Sequence, residues 1–197
     1  MVPMSIMINL LKDQIDQNMD SPGFLIDGFP RAMDQALEFE KTIGTCKTVI
    51  AFRCSLSVLE ARLLERGKTS GRADDNIETI KKRFNTFENQ SMPVIEHFKL
   101  LGKCIEISSE QAIEQVYQEA SAVFSKAIFE GENIVFVLGG PGSGKGTQCD
   151  EIVSKLGWAH LSTGDLLRAE VKKGTDLGKS LEADMKEGKM ISVVLVC

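Results

Sequence analysis

A glycine-rich segment near the carboxyl end of the chain constrains the fold more than any other feature. It reads GGPGSGKGT over residues 139–147, after the apolar run 134–138 and before a segment of helical periodicity, 145–156. Glycines let successive backbone amides converge on one anion, and the following helix directs the positive end of its dipole at the same point. A strand, a glycine-rich turn and a helix in this order predict a phosphate-binding loop.

The side chains of this loop fit the same chemistry. Lys145 supplies a point charge for the β and γ phosphates of a nucleotide. In the common pattern a Ser or Thr follows the lysine directly, whereas here Gly146 intervenes before Thr147. Thr147 is therefore a weaker candidate for coordinating Mg²⁺ than the hydroxyl of the common pattern.

Composition excludes several classes of protein. A chain of 197 residues with 43% hydrophobic residues suits one domain with a proper core. The net charge of -5 gives no overall basic surface for nucleic acid, no apolar stretch is long enough for a membrane span, and the first 20 residues lack a secretory pattern. The five cysteines form no CxxC pair. We expect a soluble, cytoplasmic protein with reduced thiols, no nucleic-acid partner and no membrane partner.

Short apolar runs alternate with helical periodicity along the chain. The predicted strands are residues 23–26, 48–52, 104–107, 134–138 and 158–161. The predicted helices are residues 5–17, 34–42, 56–66, 77–101 with a kink before Pro93, 112–124, 145–156, 164–172 and 177–187. This alternation predicts an α/β fold of the P-loop NTPase type, a five-stranded parallel sheet with helices on both faces.

A second motif, FLIDGFPR over residues 24–31, places a carboxylate at the end of a buried strand. Asp27 is positioned as the residue that would hold Mg²⁺, directly or through water, and Arg31 follows at the edge where open α/β sheets bind ligands. Alternatively, Asp27 caps the next helix. His97 and His160 sit within apolar patterns and are predicted to be structural.

Arginines favour phosphoryl transfer over other reactions of a phosphate-binding fold. Such transfer needs fixed cations around the phosphate oxygens more than it needs a nucleophile. The polar stretch 67–76 contains Gly67 and Gly71 and suits a cover that closes over bound phosphates. The arginines near this edge of the predicted sheet are Arg31, Arg62, Arg66, Arg72, Arg83 and Arg168.

Four segments together resemble the short-lid adenylate kinases: GGPGSGKGTQC, HLSTGDLLRAEV, FLIDGFPR with Gln35 following, and LLERGKTSGRADDN. The resemblance covers nearly the whole chain. It implies a short lid, a nucleoside-monophosphate-binding region, and the Mg²⁺-dependent reaction ATP + AMP ⇌ 2 ADP. Asp74 and Asp75 would be lid carboxylates, and Mg²⁺ would be held by Asp27 through water, with Thr147 a second candidate.

The resemblance also implies roles for individual residues. The implied ATP-binding residues are Gly140, Gly142, Ser143, Gly144, Lys145, Gly146, Thr147, Arg62 and Arg66, with Arg62 against the adenine. The implied AMP-binding residues are Gly28, Arg31, Gln35, Thr163, Arg168, Arg72 and Arg83. The implied catalytic residues are Lys145, Arg31, Arg66, Arg72, Arg83 and Arg168.

The UMP/CMP kinases are the nearest alternative within the same resemblance. They usually carry Ala where Thr163 stands and Asn where Gln35 stands, so both positions favour adenine. A carboxamide presents a donor and an acceptor that adenine can meet. A GTPase is disfavoured because the NKxD pattern is absent. An inactive, structural fragment of a multidomain kinase is a further alternative.

The order of the segments differs from that of the resembled family. An adenylate kinase begins with the counterpart of residues 133–190 and continues with that of residues 2–124. We therefore divide the chain into a carboxyl-terminal part of such a domain (1–127), a linker (128–132) and an amino-terminal part (133–197), which together make about one domain.

Two origins explain this order. The chain is either a circular permutant or a piece of a tandem array, and the array is favoured because residues 190–197 align with residues 1–8 as a diverged copy. It forms either one permuted domain in a monomer or composite domains in a swapped dimer. A tandem-domain parent would allow a ciliary or flagellar location as well as a cytoplasmic one.

Overall fold

A computed structural model describes residues 4–69, 77–126, 133–176, 178–179 and 181–182 of the chain. They form a five-stranded parallel sheet covered by helices on both faces, as the sequence predicts. The strands are β1 (Phe24–Asp27), β2 (Thr48–Arg53), β3 (Cys104–Ser108), β4 (Ile134–Gly139) and β5 (Ala159–Ser162). No helix in the described part of the chain is long and apolar enough to cross a membrane.

The order of strands across the sheet is β3-β2-β4-β1-β5. Strand β4, which leads into the glycine-rich loop, pairs with β2 on one side and with β1 on the other. The register aligns Phe24 with Ile134 and Phe52 with Gly139. Because β1 and β2 share no hydrogen bonds, the first segment of the chain contributes two separate parts of the sheet, which β4 of the second segment joins.

The helices agree with the predicted periodicity to within a few residues. They are α1 (Met4–Asp16), α2 (Met33–Thr42), α3 (Leu56–Thr69), α4 (Ile77–Thr86), α5 (Met92–Leu100), α6 (Ile113–Lys126), α7 (Lys145–Leu156) and α8 (Thr163–Lys172). The predicted helix over 77–101 is helical but not uniform: a π-helical turn (Phe87–Ser91) joins α4 to α5, and Pro93 lies in the first turn of α5. Most of the predicted helix 177–187 lies outside the described residues.

The two faces of the sheet bury separate apolar clusters. On one face, α1, α2, α5 and α8 pack around Phe39, Phe98 and Phe136, whose rings meet edge to face. On the other face, α6 and α7 pack over Leu25 and Ile50. Each cluster contains residues from both segments of the chain, so the two segments share the whole core of the sheet.

The two segments meet tightly at the amino edge of the sheet. The backbone N–H of Phe24 donates to the carbonyl of Asn133 at 2.7 Å, and the ring of Trp158 packs against that of Phe124 on α6 with centroids 4.7 Å apart. A Cβ on Gly23 would lie 2.6 Å from Trp158 Cζ3 and 2.7 Å from the Asn133 carbonyl oxygen. The residue before β1 therefore has room only for glycine.

The Gly23→Ala substitution should lower the free energy of unfolding by about 2 kcal/mol, because backbone and an aromatic ring must move to admit the methyl group. Urea unfolding measures this difference. The control is Gly146→Ala, whose Cβ would have nothing within 4 Å, and which should change stability by no more than about 0.5 kcal/mol. Equal effects of the two substitutions would contradict this account of the junction.

Candidate functional site

The glycine-rich loop follows β4 and turns into α7 through left-handed backbone. Gly142 and Gly144 have φ values of 83° and 84°, which glycine alone adopts at little cost. The N–H of Ser143 donates to the carbonyl of Gly140 at 3.1 Å and closes the turn. The first backbone amides of α7 remain available for an anion at its N-terminus.

The predicted loop glycines do not all face the same space. Gly142, Gly144 and Gly146 line a cleft above the sheet, with Ser143 and Thr147. Gly140 does not line that cleft, and a Cβ on it would meet Leu59 of α3 at 3.0 Å. Gly140 thus allows α3 to pack against the loop, and its contact with ATP stays a prediction.

Lys145 is the charged centre of the loop. Its Nζ donates to the carbonyls of Gly139 and Gly140 at 2.9 and 3.0 Å. Burial lowers the pKa of Lys145 below the ordinary value of an amine, Asp27 opposes that change, and Arg83 and Arg31 add to it. The negative charge of a phosphate bound here would offset the positive charge of Lys145, Arg31 and Arg83.

The cleft has a volume of about 680 Å³ and lies at the carboxyl edge of the sheet. Its wall combines both segments of the chain, because α3 and α4 of the first segment contribute arginines and the second segment contributes the glycine-rich loop and α8. The predicted arginines that line it are Arg31, Arg62, Arg66, Arg83 and Arg168. Arg72, Asp74 and Asp75 of the predicted lid lie outside the described residues.

Side-chain hydrogen bonds or ion pairs hold three of these arginines in place. Arg31 Nε donates to the carbonyl of Gly28 at 2.8 Å, and Arg62 donates to the carbonyl of Ser109 at 2.8 Å. Arg168 forms an ion pair with Asp165, one turn earlier on α8. Fixed guanidinium groups can stabilise transferring phosphate without reorganising during the reaction.

Asp27 and His160 face each other on neighbouring strands. The side chain of Asp27 is 13% exposed, and its Oδ2 lies 3.6 Å from Nε2 of His160, an ion-pair distance rather than a hydrogen bond. His160 Nδ1 lies 3.5 Å from Asp150 on α7. His160, which is predicted to be structural, also lines the cleft. Its position between two apolar residues of β5 concealed this.

A smaller cavity adjoins the cleft beneath Gly28. Gln35 and Thr163 are 4% and 2% exposed and line it with α1, as the resemblance implies for a base-binding pocket. The N–H of Arg31 donates to Gln35 Oε1 at 2.8 Å, and the hydroxyl of Thr163 donates to the carbonyls of Asp27 and Gly28. Both polar side chains are therefore held in defined orientations.

Comparison with known proteins agrees with this geometry. The sequence profile described as adenylate kinase matches residues 1–103 and 137–197. The chain belongs to the adenylate kinase family. Its five-stranded parallel sheet is that of the family, so the predicted fold class is confirmed.

Three relatives show the range of this family. The chain is 48% identical over 138 residues to the UMP-CMP kinase of Lentinula edodes, covering 64% of the chain and 61% of the relative. It is 50% identical over 120 residues to the uridylate kinase of Saccharomyces cerevisiae, covering 60% of the chain and 59% of the relative. It is 28% identical over 244 aligned positions to human adenylate kinase isoenzyme 5, covering 97% of the chain and 43% of the relative. The matches thus span about three fifths or less of these relatives.

Kinases of this family generally use Mg²⁺ with their nucleotides, and the cleft fits that ion. Asp27 Oδ1 is buried and has no hydrogen-bond partner in the described part of the chain, and it belongs to a side chain on the cleft wall. Among the described residues, no group of three acidic, histidine or cysteine side chains could hold a metal. Mg²⁺ is commonly held by one or two carboxylates together with water and substrate phosphates. Asp27 is the carboxylate that suits this arrangement.

His160 should titrate above its ordinary pKa of 6.5. Burial lowers its pKa, but Asp27, Asp150 and Asp165 together raise the pKa further than burial lowers it. Because the folded-state pKa is raised, the interaction stabilises the fold fully below about pH 6.5 and is lost as pH rises through the folded-state pKa. NMR titration without Mg²⁺ measures it, with His97→Gln to assign the signals.

The Asp27→Asn substitution should lower the pKa of His160, because the principal cause of the increase is removed while burial remains. The exposed Asp176→Asn variant is the control and should leave the pKa unchanged. If Asp27→Asn also leaves it unchanged, Asp27 and His160 do not interact as described.

Proposed function

We propose that this chain is a nucleoside monophosphate kinase that catalyses the reversible, Mg²⁺-dependent reaction ATP + AMP ⇌ 2 ADP. The observation that carries the proposal is the composition of the cleft. A phosphate-binding loop with Lys145, a carboxylate suited to Mg²⁺ and five arginines converge on one space. The described cleft is large enough for phosphates of two nucleotides to meet at its centre.

The chemistry needs no nucleophile from the protein. An oxygen of the monophosphate attacks the γ-phosphorus of ATP, the bond from that phosphorus to the β–γ bridging oxygen breaks, and two molecules of ADP result. Lys145 and the arginines would bind and orient the phosphates and offset the charge on the transferring oxygens. Asp27 would help to hold Mg²⁺, which when bound would neutralise part of the charge on the phosphates of the donor.

The orientation of Gln35 supports a base that carries an amino group. Because Arg31 N–H donates to Oε1, the amide NH₂ remains the donor end of this side chain. Adenine and cytosine each offer a ring nitrogen acceptor beside an amino donor, whereas uracil offers the reverse pattern. The hydroxyl oxygen of Thr163, whose hydrogen is donated to backbone carbonyls, can accept from an amino group.

Adenine is favoured over cytosine by residue type. Gln35 and Thr163 are the residues expected for adenylate kinases, and Asn and Ala those expected for UMP/CMP kinases. UMP/CMP kinase activity is the second candidate, because relatives named UMP-CMP kinase and uridylate kinase are 48% and 50% identical over their aligned residues. An inactive fragment with a structural role is the third.

The order of segments supports a tandem-domain origin. The alignment with adenylate kinase isoenzyme 5 covers 97% of this chain in its own order but 43% of the relative, and it extends over 244 positions for a chain of 197 residues. We infer that residues 1–127 and 133–197 correspond to successive pieces of such a protein, and that within one chain they assemble a single kinase domain.

Steady-state assays of ADP formation should show that AMP is preferred over CMP and UMP by more than about tenfold in kcat/KM, because unpaired polar groups in a base pocket are costly. The Lys145→Met variant is the control for the source of activity. It should lower kcat at least about a hundredfold while the fold is retained, because it removes one fixed cation.

Each other outcome selects an alternative. Comparable turnover of CMP would assign the chain to the UMP/CMP kinases. A folded wild-type chain that forms no ADP from any monophosphate would be the inactive fragment. Near-normal turnover by Lys145→Met would remove the role proposed for the loop lysine.

A further inference from the structure

The π-helical turn between α4 and α5 lies beside the cleft. Thr79 and Arg83 of α4, Phe87 at the start of the turn and Ser91 at its end all line the cleft, at a constant spacing of four residues. A π-turn inside a helix is uncommon and is frequently found at functional sites. Its effect on these four positions can be worked out from helix geometry.

Regular α-helix would not keep all four residues on one face. Each residue advances about 100° around an α-helix, so four residues overshoot one turn by about 40° and Ser91 would be rotated by about 120° from Thr79. The wider π-turn advances roughly 82° per residue and undershoots a full turn by about 30° over four residues. The turn thus reduces the rotation of Ser91 from Thr79 to roughly 50° and returns Ser91 to the face that carries Arg83.

Ser91 makes a long-range contact from this position. It is 4% exposed, and its hydroxyl donates to the backbone carbonyl of Arg31 at 3.2 Å, across 60 residues of sequence. Two further hydrogen bonds of Arg31 are local: its N–H donates to Gln35 Oε1, and its Nε donates to the carbonyl of Gly28. Ser91 therefore ties the Arg31 backbone to the helical segment that carries Arg83.

We propose that Ser91 is a positioning residue for the monophosphate site, and that the π-turn 87–91 exists in this chain to present its hydroxyl to Arg31. This inference rests on the proposed kinase function, in which Arg31 binds the phosphate of the acceptor nucleotide. Ser91 does not touch the substrate in this scheme. It fixes the backbone from which the Arg31 side chain extends, and it sets the separation between Arg31 and Arg83.

The consequence is specific to one substrate. Loss of the hydroxyl leaves the Arg31 carbonyl without this donor, and Arg31 gains freedom that must be lost again when the monophosphate binds. The triphosphate site draws on the glycine-rich loop and Lys145, which Ser91 does not contact in the described structure. Binding of the monophosphate should therefore weaken while binding of ATP does not.

The test compares Ser91→Ala, Ser91→Thr and the exposed control Asn89→Ala, which alters a side chain of the same π-turn. AMP and ATP are titrated separately by calorimetry, and KM and kcat are measured in the ADP assay. Ser91→Ala should raise the Kd and KM for AMP about fivefold, the effect of one lost hydrogen bond. It should change kcat less than twofold and leave the values for ATP unchanged.

Ser91→Thr retains the hydroxyl and should restore the affinity for AMP, and Asn89→Ala should match the wild type. If Ser91→Ala folds and binds AMP as the wild type does, the positioning role is wrong while the kinase function stands. Equal weakening of AMP and ATP, or no restoration by Thr, overturns it in favour of a general packing role. A wild-type chain that binds no AMP, CMP or UMP overturns this inference together with the proposed function.

If Ser91→Ala does not fold, the comparison of Ser91→Thr with Asn89→Ala decides. Weaker AMP binding by Ser91→Thr alone overturns the positioning role, and wild-type AMP binding by both variants supports it.

Discussion

The pairing of β4 with both β1 and β2 is the interaction on which the rest of this structure depends. Because β1 and β2 do not pair with each other, residues 1–126 cannot form the sheet without the strand from residues 134–139. The same pairing carries the glycine-rich loop to the carboxyl edge, beside Asp27 at the end of β1. Strands from both segments of the chain are therefore neighbours in one sheet.

A short connection is compatible with this arrangement because of where α6 ends. Phe124, near that end, packs on Trp158, which also lies against Gly23 and hence near Asn133. A parallel sheet requires the chain to return to the amino edge before each new strand, and α6 makes that return.

Much of the fold could be predicted because the strands are continuous apolar runs and the loop motif carries its own geometry. Each predicted strand stops one residue before the observed strand does. The observed last residues are Asp27, Arg53, Ser108, Gly139 and Ser162. The apolar pattern stops there because these residues end the strands at the carboxyl edge, where the cleft lies, although their backbone still pairs. Similarly, His160 looked structural because the pattern of β5 gives no sign of the carboxylate on the neighbouring strand.

The π-turn could not be predicted from periodicity, since apolar residues recur at helical spacing on both sides of it. One signal was available. Ser91 occupies a position where the series Phe84, Phe87, Val94, Phe98 leads one to expect an apolar residue, and it is buried. Its hydrogen bond to Arg31 could not be predicted, because that contact depends on how α5 packs against the end of β1 in three dimensions.

We propose above all that one chain supplies both halves of its own active site. It is tested most directly by unfolding and refolding together equal amounts of a Lys145→Met chain and an Arg83→Ala chain, each altered in a different segment, and measuring ADP formation. Closure within each chain predicts activity no greater than that of the two variants refolded separately. Random pairing into swapped dimers would restore one intact site in each mixed dimer and recover about a quarter of the activity of refolded wild type, which would contradict the account.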